Sequence, residues 1–84
     1  MVEDTSREAY HQDAARLELQ RERVYQAVCD AMHPSSRDIA RILDLSRTSV
    51  TGRLKELEDD GLIEKAAKKI DPWSRHQVWW YRPR

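Results

Sequence analysis

Apolar residues recur along this chain with two different periods. From Leu17 to Met32 the spacing is helical: Val24, Val28 and Ala31 fall at i, i+4 and i+7, and Tyr25, Ala27 and Cys29 widen the apolar side. Cys29 is therefore expected on the inner side of the helix, as a small buried thiol. Pro34 closes the segment, because a residue before proline is pushed out of the α region. Upstream, Thr5-Ser6-Arg7-Glu8 fits a capping box with Thr5 as N-cap. The apolar set that follows, Ala9, Tyr10, Ala14, Ala15 and Leu17, is sparse and marginal as an isolated helix. One rod or two helices both fit residues 5–32; a break between Gln12 and Arg16 is preferred, since Asp13 can start a second helix.

Two short amphipathic helices follow. Ser35 is the N-cap of the first, with Asp38 at its third helical position. At 100° per residue, Ile39, Ala40, Ile42 and Leu43 share an arc of about 160°, opposite Arg37, Asp38 and Arg41. Asp44-Leu45 makes a tight turn with Leu45 as its apolar plug, and Ser46 caps the next helix. There, Leu54 and Leu57 lie within about 40° of Val50 and form a buried stripe. Thr48, Thr51, Gly52 and Lys55 point outward, Arg47 lies in the exposed first turn, and Ser49 and Arg53 sit on a flank. Gly52 costs about 1 kcal/mol relative to alanine in a helix interior. Close approach of another molecule offsets that cost, or the glycine is tolerated drift; both readings stand. Glu56, Glu58, Asp59 and Asp60 make the last turn acidic, so the outward surface is polarised. Gly61 is the expected left-handed residue after the helix, followed by Leu62 as its apolar contact.

The period then changes to two. Residues 62–68 and 76–82 read as strands joined by Lys69-Ile70-Asp71-Pro72-Trp73-Ser74-Arg75, which makes a β-hairpin. Strict alternation places Val78 and Trp80 on one face and Trp79 and Tyr81 on the other. One face should cover the helices; the other must meet the first helix or a partner. The fold class is thus α+β, mostly helical, with a small hairpin: an extension over 1–16, then one domain over 17–84 with helices near 17–32, 36–43 and 47–60.

Composition narrows the chemistry. Eighty-four residues make one small domain. The single cysteine allows no internal disulfide, and cytoplasm is the expected compartment. His11, His33 and His76 share no ligand spacing with Cys29, so no metal and no cofactor are expected. The acidic N-terminus has no hydrophobic segment behind it and does not read as a signal peptide, and no run is long enough to span a membrane. No paired carboxylates, nucleophile with base, or phosphate-cradling glycine loop is legible, so an enzyme is not expected. Net charge is zero, but residues 1–34 hold four Lys or Arg against seven Asp or Glu, and residues 35–84 hold eleven against eight. The cationic surplus sits with the paired helices, and it is too small for tight non-specific nucleic-acid binding at physiological salt.

Ser35 to Val50 resembles the bihelical motif of the winged helix-turn-helix family, with small Ala40 in the first helix and Val50 in the second. Leu54-Lys55-Glu56-Leu57-Glu58-Asp59-Asp60-Gly61-Leu62-Ile63 is similar to the helix end and first wing strand of MarR-like bacterial regulators. Thr5-Ser6-Arg7-Glu8-Ala9-Tyr10 is similar to small phage or prophage winged-helix proteins, which implies a bacterial or phage-infected cytoplasm. The resemblance spans roughly 17–82 and implies double-stranded DNA as partner. It places Arg47, Thr48, Ser49, Thr51, Gly52 and Arg53 in the major groove or on flanking phosphates, with Lys55 at the edge and Lys68, Lys69 and Arg75 on the wing. Asp44 departs from the glycine common at the turn, though aspartate tolerates the left-handed conformation.

Two function classes follow. One is a sequence-specific DNA-binding protein, a transcriptional regulator, with Arg47 as the candidate for reading guanine. The other is a winged helix used for protein contact, such as a phage protein acting on a host protein; zero net charge and Trp73 favour it. The bland reading of the cations is a solvated basic face. A homodimer fits either class, with Tyr10, Trp73, Trp79 and Tyr81 as the candidate partner face.

Overall fold

The computed structural model describes residues 2–84, with side chains described from residue 14 onward. Three helices, α1 (Val2–Asp30), α2 (Ser36–Leu43) and α3 (Arg47–Asp59), precede an antiparallel hairpin of β1 (Ile63–Ile70) and β2 (Gln77–Pro83). This is the mostly helical α+β order of a winged helix.

The first helix corrects the preferred break: α1 runs unbroken through positions 12–16. Nothing in the span interrupts it, since it holds neither glycine nor proline and is rich in Ala, Glu, Gln and Arg, which extend helices at little cost. Thr5 accordingly lies inside α1 rather than at its start. Its side chain, like that of Tyr10, falls outside the described residues. The helix ends at Asp30, and His33 then takes a left-handed backbone (φ 52) before buried Pro34. Cys29 is also corrected: it is exposed. Among the described residues of α1 only a narrow stripe, Val24, Ala27 and Val28, is buried, and Cys29 lies about 100° beyond Val28.

Both short helices are capped as their sequences require. The Ser35 hydroxyl accepts from the Asp38 amide (3.2 Å), and the Asp38 carboxylate accepts from the Ser35 amide (3.0 Å), completing the capping box of α2. Asp44 ends α2 in the left-handed region (φ 55, ψ 46), and the Leu45 amide reaches back to the Ala40 carbonyl (3.0 Å). The Ser46 hydroxyl accepts from the Ser49 amide (3.2 Å) at the start of α3. At its end Gly61 has φ 77, and two bonds, Gly61 to Glu58 (2.9 Å) and Leu62 to Leu57 (3.0 Å), form a Schellman closure.

The core joins all three helices to the root of the hairpin: Val24, Ala27 and Val28, then Ile39, then Val50, Leu54 and Leu57, then Ile63. The stripe expected on α3 is thus buried. On α2 the apolar arc is only partly used: Ile39 is buried, Ala40 and Leu43 pack at the rim, and Ile42 is 58% exposed. A helix of two turns meets α1 and α3 along one line, and Ile42 stands beside it.

The strands are shifted from the expected bounds, because Lys69 and Ile70 continue β1 and the loop starts at Asp71. Pairing runs from Ile63 opposite Pro83 to Ile70 opposite Gln77, with a bulge between Lys65 and Ala67. A third short strand edge is supplied by the segment before α2. Ser35 bridges Trp80, and the Tyr81 amide donates to the Pro34 carbonyl (2.9 Å). Trp80 lies against His33, with ring centroids 4.2 Å apart. Tyr81, a candidate for the partner face, packs half-buried against the core.

Candidate nucleic-acid interface

The outward side of α3 faces the hairpin across a trough. One hollow of about 260 Å³ is lined by Thr51, Lys55, Glu58, Asp59, Lys65 and Tyr81. A second of about 240 Å³ has Arg47, Gln77, Trp79 and again Tyr81 in its walls. Tyr81 therefore stands between them. Burial, and then the negative charge of Glu58, raise the Tyr81 pKa and keep its phenol neutral.

Arg47, Lys55 and Lys65 line these hollows. They and Lys68 are exposed, and among the described residues none has an ion-pair partner. Lys65 and Lys68 both lie over the Trp79 ring, at 5.7 and 5.2 Å from its centroid. Sequence reasoning missed Lys65. In a regular strand, residues three apart point to opposite faces, and only the bulge turns Lys65 and Lys68 to the same one. Nothing in the local sequence announces that bulge.

Two residues expected to contact DNA are engaged elsewhere. Arg53 is nearly covered, its side chain 12% exposed, and pairs with Glu56 (2.8 Å) while reaching Gln20 on α1 (3.5 Å). Arg21 of α1 holds the same Glu56 carboxylate at 2.9 Å. Burial opposes ionisation of Glu56, but the hydrogen bonds from Arg53 and Arg21 outweigh it and lower its pKa. Lys69 points to the other hairpin face and pairs with Asp38 of α2. There too burial is outweighed, by Lys69 and the Ser35 amide, and the Asp38 pKa is lowered.

The remaining α3 positions differ in freedom. Thr48 is exposed. The Thr51 hydroxyl donates back to the Arg47 carbonyl (2.8 Å) yet remains exposed. Ser49 is half-buried and its hydroxyl accepts from Ser46 (2.8 Å). At Gly52 an added methyl would meet nothing within 4 Å. On the hairpin loop, Arg75 is exposed with a left-handed backbone (φ 60), and Trp73 is 70% exposed beneath the Arg41 guanidinium (4.9 Å).

Among the described residues no group of His, Cys, Asp or Glu is arranged to hold a metal, and no helix is long and apolar enough to cross a membrane. No individual curated protein matches the chain. The profile of the winged helix-turn-helix DNA-binding family does, over residues 18–64, from the second half of α1 to the root of the hairpin. That segment holds the capped helix pair, the core stripe and the outward face of α3, and it is more than half of the sequence. The chain belongs to the winged helix-turn-helix DNA-binding family.

Proposed function

We propose that the protein is a sequence-specific double-stranded DNA-binding protein that regulates transcription. In this reading α3 enters the major groove by its N-terminal half, where Arg47 reads a base edge and Thr48 and Thr51 reach base or phosphate. Lys55 marks the edge of that contact. Lys65, Lys68 and Arg75 hold the sugar–phosphate backbone from the wing. The acidic turn of Glu58 and Asp59 closes the trough at the other end and sets the direction of approach. The observation that supports this most directly is the set of unpaired cations on both walls of one trough in a chain whose net charge is zero. Charge held locally in this way suits a specific site over general adhesion to DNA.

Selection of duplexes from a random pool at two salt concentrations tests the reading. A consensus should emerge, and affinity should fall with a log–log salt slope of about −0.9 for each phosphate contacted. Absence of duplex binding at low salt overturns it. A two-fold dimer, with α1 as the contact between copies, is part of the proposal: Leu17 and Leu19 are 40% and 49% exposed on a helix that continues beyond the core. The second reading, a protein-contact module, draws on exposed Trp73 and the zero net charge. A host-protein complex that survives high salt would select it.

A further inference from the structure

The tip of the wing is not held by apolar packing. Ile70 is 66% exposed, Trp73 is 70% exposed, and Pro72 also faces solvent. Polar bonds organise it instead, and they converge on Asp71, whose side chain has no exposed surface. Its carboxylate accepts from the Ser74 amide (2.8 Å) and from Arg37 of α2 (2.9 Å). Its backbone closes the loop, donating to the His76 carbonyl (2.9 Å) and accepting from the Arg75 amide (2.8 Å). Two more contacts join the same surfaces: Lys69 with Asp38, and Arg41 over Trp73. Three side chains of α2 thus grip three consecutive odd positions of the wing, 69, 71 and 73.

The grip stabilises the fold, because Asp71 binds its proton more weakly in the folded chain, with its pKa lowered to about 2. It also supplies orientation. The core fixes α2 and α3 to each other through Ile39, Val50 and Leu54. A tip tied to α2 is therefore tied to α3, and the width of the trough between Arg47 and Lys68 is set. Neighbours in sequence serve opposite faces: Lys69 turns to α2, while Lys68 turns to Trp79, which lines the trough.

We propose that Arg37 and Asp71 are positioning residues for nucleic-acid binding. Their ion pair latches the wing to α2 and presents Lys65, Lys68 and Arg75 at a fixed distance from the recognition helix. The inference rests on the DNA-binding reading above and adds the part that aligns its two contact surfaces. A pre-aligned wing spends no binding energy on ordering.

The test is a double-mutant cycle on a selected duplex. Asp71→Asn should weaken binding about tenfold and reduce the salt slope by about 2, the amount removed by the pair Lys65→Ala and Lys68→Ala. In the background of that pair, Asp71→Asn should have little further effect. Arg37→Lys should keep most of the affinity, and Arg37→Ala should lose it. Amide exchange without DNA gives an independent view of the latch: Ser74 and Arg75 should exchange faster in Asp71→Asn while the α3 amides keep their protection. Wild-type affinity and slope in Asp71→Asn, or losses that simply add to those of the lysine pair, overturn the proposal. Wild-type protein that binds no duplex at low salt overturns the DNA reading itself, which keeps the two failures distinct.

Discussion

Gly52 stands in the middle of α3 with open space where a side chain would be. The fold therefore does not require glycine there, and its backbone conformation is ordinary helix. Alanine should raise stability by roughly 1 kcal/mol, read as an increase in the denaturation midpoint. If the bare backbone admits DNA, the same change should weaken duplex binding although the protein is more stable. Affinity unchanged or improved in Gly52→Ala would leave tolerated drift as the explanation. Gly61 is the opposite case: its φ of 77 is one that side chains adopt at a cost, so its identity follows from the turn. Asp44 shows that the glycine common at the helix–helix turn is dispensable, because aspartate adopts the left-handed conformation there.

At the scale of elements, the strongest local signals were those written within four residues. The capping box of Ser35 and Asp38, the Ser46 cap, and the Gly61 closure all form as the sequence implies. Ser35→Ala should cost α2 about 0.5–2 kcal/mol by freeing a helix-end amide, measurable by chemical denaturation. A larger loss is not expected, since Ser35 also pairs through its backbone with Trp80 and that bridge survives the change. Signals that depended on what each element would pack against were less legible. Cys29 and Ile42 both look apolar and inward on a helical wheel, yet both face solvent. The wheel gives the angle of a side chain but not the width of the neighbour covering it. The unbroken course of α1 was ambiguous for a related reason: polar Thr5 and Asp13 suggest caps wherever they occur, and only continuity decides whether they act as such.

Across the whole molecule, three carboxylates tie elements together and share one behaviour. Asp71 is held down to about 2, first by the Ser74 amide and also by Arg37; Asp38 and Glu56 are lowered by their cation partners despite burial. Each binds its proton more weakly in the folded chain than in the unfolded one, so unfolding takes up protons. Their contribution is complete above the ordinary carboxylate value of about 4 and is lost as pH falls toward 2. The denaturation midpoint should therefore hold through neutral pH and drop below about pH 4, and Asp71→Asn should make the acid drop shallower. An acid profile unchanged by Asp71→Asn would show that this carboxylate does not carry its share.

The sequence by itself determined the order of α2, α3 and the hairpin, the caps of the two short helices, and the apolar stripe of α3, because those follow from backbone hydrogen bonding and periodicity over a few residues. It also marked the outward face of α3 with Arg47, Thr51 and Lys55. Only the tertiary structure decided which cations remain available to a partner. Lys69 looks equal to Lys68 on paper, but folding brings it to Asp38 of α2; Arg53 pairs locally with Glu56 three residues on, and it is Gln20 and Arg21 of α1 that tie this pair down. The bulge in β1 then turned Lys65 to the same face as Lys68, beside Trp79. Charge is a property of a residue, whereas its pairing is a property of the distances between elements, and those distances are set by the core and by the grip of α2 on the wing.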